Sequence, residues 1–323
     1  MPQILANSDA RGIDAGCSRA ASRVWDAPAA LRLWHLASVD APTVAVAWAL
    51  GFAWVAGVRL PVWVEALLAL ATWAVYVGDR LLDAHAGVRR GAMDCLRERH
   101  LFHWRHRWML APLAVAAAGC AAAIVLMRMP VAAQERDTVL AAAAVAYFTG
   151  VHSRGGSSSI AGWLPIALSR RVLSKELLVG VLFTAGCALP ALNRAAAPVM
   201  LLLPLLFFAA LAWLNCAAID AWENASTHPC RSERGRRGNR VEEPASRPNR
   251  AISLAASLLA LAGLLLALQL SSGQPRQAAL IACGAASALL LGLLDRLRTR
   301  LTPLALRAAA DLVLLAPLAL LWR

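Results

Sequence analysis

The strongest constraint on this chain comes from its long apolar segments. Nine stretches of the 323 residues are dominated by apolar side chains, and most of them lack an amphipathic face. A helix needs about 20 apolar residues to cross the hydrocarbon core of a bilayer. We therefore predict an all-α polytopic membrane protein with nine transmembrane helices. The segments lie at 38–58, 61–78, 108–127, 138–153, 172–193, 197–219, 251–270, 277–294 and 303–322.

The positions of the charged residues support this topology. Only 16% of the residues are charged, yet the formal net charge is +13. The basic residues are concentrated in the N-terminal tail and in the loops that follow even-numbered spans. The positive-inside rule assigns these loops to the cytoplasm, which predicts a cytoplasmic N terminus. A nucleic-acid partner is not expected, because the arginines follow the topology and no nucleic-acid-binding module is visible.

The chain is expected to contain one domain. Residues 1–30 are polar, lack the apolar core of a signal peptide and are predicted to form a flexible tail. Residues 31–323 are predicted to form the nine-helix transmembrane domain. Its loop at about 224–250, rich in Arg, Ser, Gly and Pro, is expected to be a mobile cytoplasmic segment. We expect an integral protein of the bacterial inner (plasma) membrane, with its active face in the cytoplasm.

Two pairs of acidic residues lie at the predicted cytoplasmic ends of two spans. Asp79 and Asp83 are four residues apart after the second span, and Asp220 and Glu223 are three apart after the sixth. Each pair therefore shares one helix face. Carboxylates at membrane depth are costly and usually functional, and their oxygens suit Mg²⁺. The pairs predict a metal-bridged diphosphate site; alternatively, they are helix-end residues that pair with neighbouring arginines, such as Asp83 with Arg80.

In span number, topology and motif placement, residues 30–322 resemble the UbiA superfamily of intramembrane prenyltransferases. The first motif of that family is typically Asn-Asp-x-x-Asp-x-x-x-Asp, and Asp79 and Asp83 match its last two acids. Val75 and Tyr76 stand where the Asn-Asp pair would be. Asp220 and Glu223 fit the spacing of the second motif, with Asn215 one turn earlier. The pattern is similar to that of a divergent branch of the family.

The resemblance implies a reaction. Magnesium ions held by Asp79, Asp83, Asp220 and Glu223 would bind the diphosphate of an isoprenyl donor and ease its ionisation, and a hydrophobic acceptor would capture the allylic cation. These four acids are then the expected catalytic and metal-binding residues. Further diphosphate contacts are expected from Asn215, Arg80, Lys175, Arg99, His100 and His103.

Several of these residues could serve a different role. The basic segment 99–107 could face lipid headgroups, or hold a metal through His100 and His103. Lys175 could pair with Glu176. For the whole protein, the alternatives are a transporter or permease and a catalytically inactive UbiA-like membrane protein. No duplicated, interrupted half-helices typical of a transporter are visible in the sequence.

One further pair lies within the ninth span. Arg307 and Asp311 are four residues apart, so their side chains could form an ion pair along one helix face.

Overall fold

The computed structural model describes residues 24–91, 93, 96–135, 137–139, 142, 146, 175–226 and 250–321. Three predicted features fall largely outside the described residues. They are the polar tail through residue 23, most of the fourth span at 138–153, and the loop at 227–249.

Helices make up most of the described part of the chain. Within it no strand occurs, and one parallel bridge joins Trp25 to Leu301. The helical prediction is therefore confirmed for these residues. The helices are α1 (Ala29–Leu36), α2 (Asp40–Ala56), α3 (Val62–Arg89), α4 (Glu98–Arg105), α5 (Arg107–Arg128), α6 (Lys175–Leu192), α7 (Leu202–Ser226), α8 (Arg250–Leu270), α9 (Pro275–Leu297), α10 (Pro303–Val313) and α11 (Leu318–Leu321).

Five of these helical segments are long and apolar enough to cross a membrane. They contain α3, α5, α7, α8 and α9, and α1 with α2 would add a sixth if that bent pair counts as one span. Helix α6 is apolar but shorter. These helices support an integral membrane protein, and the count of nine spans stays a prediction.

Helices α1 and α2 meet at a sharp bend of 88°. Ser38, at the bend, adopts a positive φ of 57°, a backbone conformation that is uncommon outside glycine. Asp40 begins α2, and its Oδ1 accepts a hydrogen bond from the backbone N–H of Ala41 at 2.9 Å. The bend brings the C-terminal end of α1 beside the first turn of α2.

The segment expected to form the ninth span is divided into two helices. Helix α10 ends at Val313, and α11 begins at Leu318, directly after Pro317. Proline has no N–H to donate, and its ring clashes with the carbonyl four residues earlier. Side chains of other helices satisfy two carbonyls near the break: Ser287 Oγ donates to Val313 O at 2.6 Å, and Trp48 Nε1 donates to Leu314 O at 2.9 Å. The ninth span predicted at 303–322 therefore contains a break, and whether it crosses the membrane stays a prediction.

Helix α2 lies at the centre of the bundle. It contacts α3, α6, α9 and α10. Its Trp48 ring stacks on Phe208 of α7, with ring centroids 3.8 Å apart, and both side chains are fully buried. This packing joins α2 to α7 in the core of the bundle.

Candidate functional site

Three arginines surround the carboxylate of Glu223 at one end of the bundle. Arg99 of α4 donates from Nη1 to Glu223 Oε1 at 2.9 Å. Arg97, just before α4, and Arg307 of α10 form ion pairs with the same carboxylate. One carboxylate is thus the counter-ion of three guanidinium groups, so positive charge is in excess among these four side chains.

A fourth arginine joins this end of the bundle through the bend between α1 and α2. Arg80 of α3 is 4% exposed, and its Nε donates to Ser38 Oγ at 2.9 Å. Ser38 Oγ is 3.3 Å from His103 Nε2, and His103 Nδ1 is 2.8 Å from Arg99 O. Because a carbonyl only accepts, Nδ1 carries the proton and Ser38 donates to Nε2. We refer to Arg80, Arg97, Arg99 and Arg307 as the arginine cluster.

The two histidines of α4 are neutral at neutral pH. Burial and the positive charge of Arg80 lower the pKa of both His100 and His103 to about 4. His100 Nε2 accepts a hydrogen bond from Arg99 Nε at 3.2 Å. Both ring nitrogens of His103 are bonded within the protein, so this residue links Ser38 to α4.

In the described part of the chain, no three of the four predicted metal-binding acids bring their ligand atoms within 4.8 Å of one another. Asp79 is half-buried and Asp83 is exposed on α3, while Asp220 is exposed on α7. Both carboxylate oxygens of Glu223 contact arginines, which favours an ion-pairing role for this residue. The side chain of Lys175 lies outside the described residues. The prediction that these acids hold magnesium stays a prediction.

A second polar cluster lies deeper in the bundle, and sequence reasoning missed it. His35 Nδ1 is 2.6 Å from Asp40 Oδ2 and 3.5 Å from Asp311 Oδ2. Asn215 Nδ2 donates to Asp311 Oδ1 at 3.4 Å. We refer to His35, Asp40 and Asp311 as the His–Asp cluster. Ionisable residues within apolar spans were the signal that could have found it.

The Arg307–Asp311 pair considered from the sequence does not form. Arg307 bonds Glu223 of α7 instead, and Asp311 contacts His35 and Asn215. The i,i+4 spacing alone does not predict this, because the partners of Arg307 and Asp311 lie on other helices.

An apolar cavity of about 400 Å³, wide open to the outside of the bundle, adjoins the bend at Ser38. Its wall residue Val39 follows Ser38 directly, and Trp73, also in the wall, donates from Nε1 to Ala37 O at 2.9 Å. The cavity therefore begins one residue from the serine that holds Arg80. It is lined by Val39, Pro42, Thr43, Val46, Ala47, Ala69, Leu70, Trp73 and Leu318.

Comparisons with models of protein families, with curated proteins and with solved structures gave no match to this chain. The resemblance to the UbiA superfamily therefore stays a prediction from the sequence. What the site can do follows from its own residues.

Proposed function

We propose that this protein is an intramembrane prenyltransferase of UbiA type. It would bind an isoprenyl diphosphate with the diphosphate on the arginine cluster and the isoprenyl chain in the adjoining cavity. The observation that carries the proposal is the bond from Arg80 of the arginine cluster to Ser38, the residue directly before Val39 in the wall of the apolar cavity. A molecule with a multiply charged anionic head and an apolar tail complements both features.

The arginine cluster is chemically suited to a diphosphate head. Guanidinium groups bind phosphate oxygens through two parallel hydrogen bonds, and they are always charged. Nε of Arg307 is buried without a hydrogen-bond partner. Buried donors are nearly always paired in proteins, so an additional acceptor at this position would stabilise the site. A diphosphate oxygen would supply that acceptor and balance the positive charge.

The cavity is suited to an apolar chain. Ligand pockets typically measure about 300–1,000 Å³ and are lined mainly by hydrophobic and aromatic side chains. The cavity beside Ser38 is within that range, and Trp73 and Leu70 contribute large apolar surfaces to its wall. Since the chain would remain in an apolar environment while the head is bound, one ligand would contact both parts of the site.

In the proposed reaction, the bond between the allylic carbon and the leaving oxygen breaks, and its electron pair stays on the diphosphate. Guanidinium groups aimed at that oxygen stabilise the developing negative charge. The acceptor then forms a new bond to the carbon and releases a proton. The acceptor is expected to be hydrophobic because it must reach the same apolar cavity.

Magnesium binding is part of the proposal, with a reduced set of ligands. Asp79 and Asp83 are hard oxygen donors on one face of α3, and they fit Mg²⁺ by their chemistry. Glu223 does not fit, because three guanidinium groups occupy its carboxylate. When bound, the metal would neutralise charge on the leaving diphosphate. We propose that this end of the bundle faces the cytoplasm of a bacterium.

One observation favours a second function, that of an ion-coupled transporter. Helix α10 is interrupted before α11, and the His–Asp cluster lies buried near it. Interrupted helices and buried acids are typical of transporter ion sites. Proton or cation flux into proteoliposomes, with no dependence on isoprenyl diphosphate, would favour this function.

Binding of radiolabelled farnesyl diphosphate to the full chain in lipid nanodiscs tests the proposal. We expect saturable binding that Arg80→Gln and Arg307→Gln each weaken about tenfold or more. Arg194→Gln is the matched control, because Arg194 packs on Trp63 at the opposite end of α3. The proposal fails if the wild type does not bind the ligand, or if all three variants bind it as the wild type does.

A further inference from the structure

We propose that His35, Asp40, Asp311 and Asn215 form a binding site for a divalent transition-metal cation, such as Mn²⁺ or Zn²⁺, inside the helix bundle. Apart from Asn215, none of these residues belongs to the acidic motifs, and none belongs to the arginine cluster. Its ligands come from α1, α2, α7 and α10, so a bound ion would connect four helices.

The distances between the potential ligand atoms are close to those of a metal site. One ligand atom from each member of the His–Asp cluster lies within 4.8 Å of the other two. Two atoms that bind the same ion lie at most about 4.4 Å apart when each bond is about 2.0–2.2 Å. Small side-chain adjustments would therefore place the imidazole nitrogen and both carboxylates around one ion.

Asn215 provides independent support for a ligand at this position. Its side chain is 6% exposed, and its Oδ1 is buried with no hydrogen-bond partner. The amide nitrogen of the same group contacts Asp311, which places the oxygen beside the His–Asp cluster. Buried carbonyl oxygens are nearly always satisfied. A metal ion bound between Asn215 and Asp311 would satisfy this one.

The charges around the site also favour a cation. Asp40, which is buried, and Asp311, which is partly buried, are two carboxylates that share one imidazole, His35. Arg80 and Arg307 are near enough to act on them electrostatically, but these guanidinium groups bond Ser38 and Glu223. Burying charge without a partner is costly. A dication would neutralise both carboxylates at once.

The donor types indicate which metals would bind. Imidazole nitrogen is a good ligand for Zn²⁺ and other transition metals, whereas Mg²⁺ and Ca²⁺ prefer oxygen ligands alone. One imidazole, two carboxylates and one amide oxygen therefore favour Mn²⁺, Fe²⁺ or Zn²⁺ over Mg²⁺. The side chain of Asp311 is 18% exposed, which gives an ion access to the cluster from one side.

Binding of Mn²⁺ alone to the full-length protein in detergent, after treatment with a chelator, tests this proposal. We expect a stoichiometric amount of bound Mn²⁺, with magnetic coupling to an imidazole nitrogen in pulsed electron paramagnetic resonance. His35→Gln is expected to remove that coupling. Asp311→Asn, which preserves the shape of the side chain, is expected to weaken binding about tenfold or more. No diphosphate is present, so the outcome is independent of the proposed prenyltransferase function.

Asp295→Asn is the matched control. Asp295 is a fully buried carboxylate on α9 that accepts hydrogen bonds from Trp222 and Ser253, away from the His–Asp cluster. This variant is expected to bind Mn²⁺ as the wild type does. The proposal is overturned if wild-type protein binds neither Mn²⁺ nor Zn²⁺, or if bound Mn²⁺ shows no nitrogen coupling. Loss of the ion in Asp79→Asn but not in Asp311→Asn would also overturn it. The first two measurements use only the wild type and do not depend on how the variants fold.

Discussion

Arg307 on α10 is ion-paired with Glu223 on α7, although Asp311 lies only one turn from Arg307 on its own helix. This pairing connects the second acidic motif to the arginine cluster. It also leaves Asp311 in contact with His35 and Asn215. Arg307 therefore belongs to the arginine cluster and Asp311 to the His–Asp cluster, although the two residues are close enough in sequence to form an ion pair with each other.

Replacing Glu223 by glutamine is expected to destabilise the protein. The substitution removes the carboxylate shared by Arg97, Arg99 and Arg307 and leaves three cations close together. Removing one partner of a largely buried ion pair costs on the order of 2–4 kcal/mol. Thermal unfolding of Glu223→Gln should therefore occur several degrees below that of the wild type. Glu65→Gln on α3 is the control and should unfold at the same temperature as the wild type.

The same variant distinguishes two roles for Glu223. If Glu223 is a counter-ion, added inorganic diphosphate should restore much of the lost thermal stability, because an anion replaces the missing carboxylate. If Glu223 is instead a magnesium ligand, Glu223→Gln should weaken diphosphate binding and gain no stability from it. The second result would contradict the counter-ion role of this residue.

Acidification is expected to destabilise the end of the bundle that contains α4. The pKa of both His100 and His103 is about 4 in the folded protein and about 6.5 in an unfolded chain. The unfolded state therefore binds more protons between these values. Stability is expected to be complete above pH of about 6.5 and to fall as the pH decreases towards 4.

Thermal unfolding between pH 7 and pH 4 checks this expectation. His103→Gln should show a shallower decrease in unfolding temperature, since one of the two titrating groups is gone. His85→Gln, which changes an exposed histidine on α3, should retain the wild-type slope. Equal slopes for all three proteins would contradict the role given to the buried histidines.

Close packing between α8 and α9 is expected to make Gly263 intolerant of a side chain. A methyl group there would lie 2.7 Å from the ring of Phe207 and 2.9 Å from Cβ of Ala285. Overpacking of this kind costs about 1–3 kcal/mol. Gly119→Ala on α5 is the control, because its added methyl meets nothing within 4 Å. Gly263→Ala should lower the unfolding temperature, and Gly119→Ala should leave it unchanged or raise it.

The apolar spans could be located from the sequence, but their breaks could not all be predicted. Each described apolar segment contains a helix, because only a helix satisfies its own backbone in lipid. Pro317 was a local signal for the end of α10. The bend at Ser38 had no such signal, because the residue adopts a positive φ only in the context of its neighbours. Contacts between distant helices decide that geometry.

Only part of the candidate site could be predicted from the sequence, because contacts between distant helices decide the rest. The paired acids at helix ends point to Glu223 and to the nearby Arg80, Arg99 and Asn215, and these four residues lie in or beside the two polar clusters. The partners of Glu223 and the contact between His35 and Asp311 depend on how helices pack. His35 and Asp311 are separated by more than two hundred positions, and Glu223 is more than eighty positions from each of its arginine partners, so no local pattern encodes these contacts.

Magnesium dependence is expected to require Asp79. Asp79→Asn keeps the size of the side chain but removes the charge that a divalent cation needs. We expect Mg²⁺ to strengthen the binding of farnesyl diphosphate to the wild type by about tenfold or more. The variant should lose this effect of Mg²⁺. Glu65→Gln, on the same helix, should retain it. An unchanged response to Mg²⁺ in Asp79→Asn would assign the metal to other residues.

In the proposed function, one ligand contacts both the arginine cluster and the apolar cavity. Dissociation constants of farnesyl diphosphate, farnesol and inorganic diphosphate, measured for the wild-type protein in nanodiscs, test it most directly. Farnesyl diphosphate is expected to bind at least about tenfold more tightly than either fragment, because only the whole molecule occupies both parts of the site. Equal affinity for farnesyl diphosphate and farnesol would contradict it.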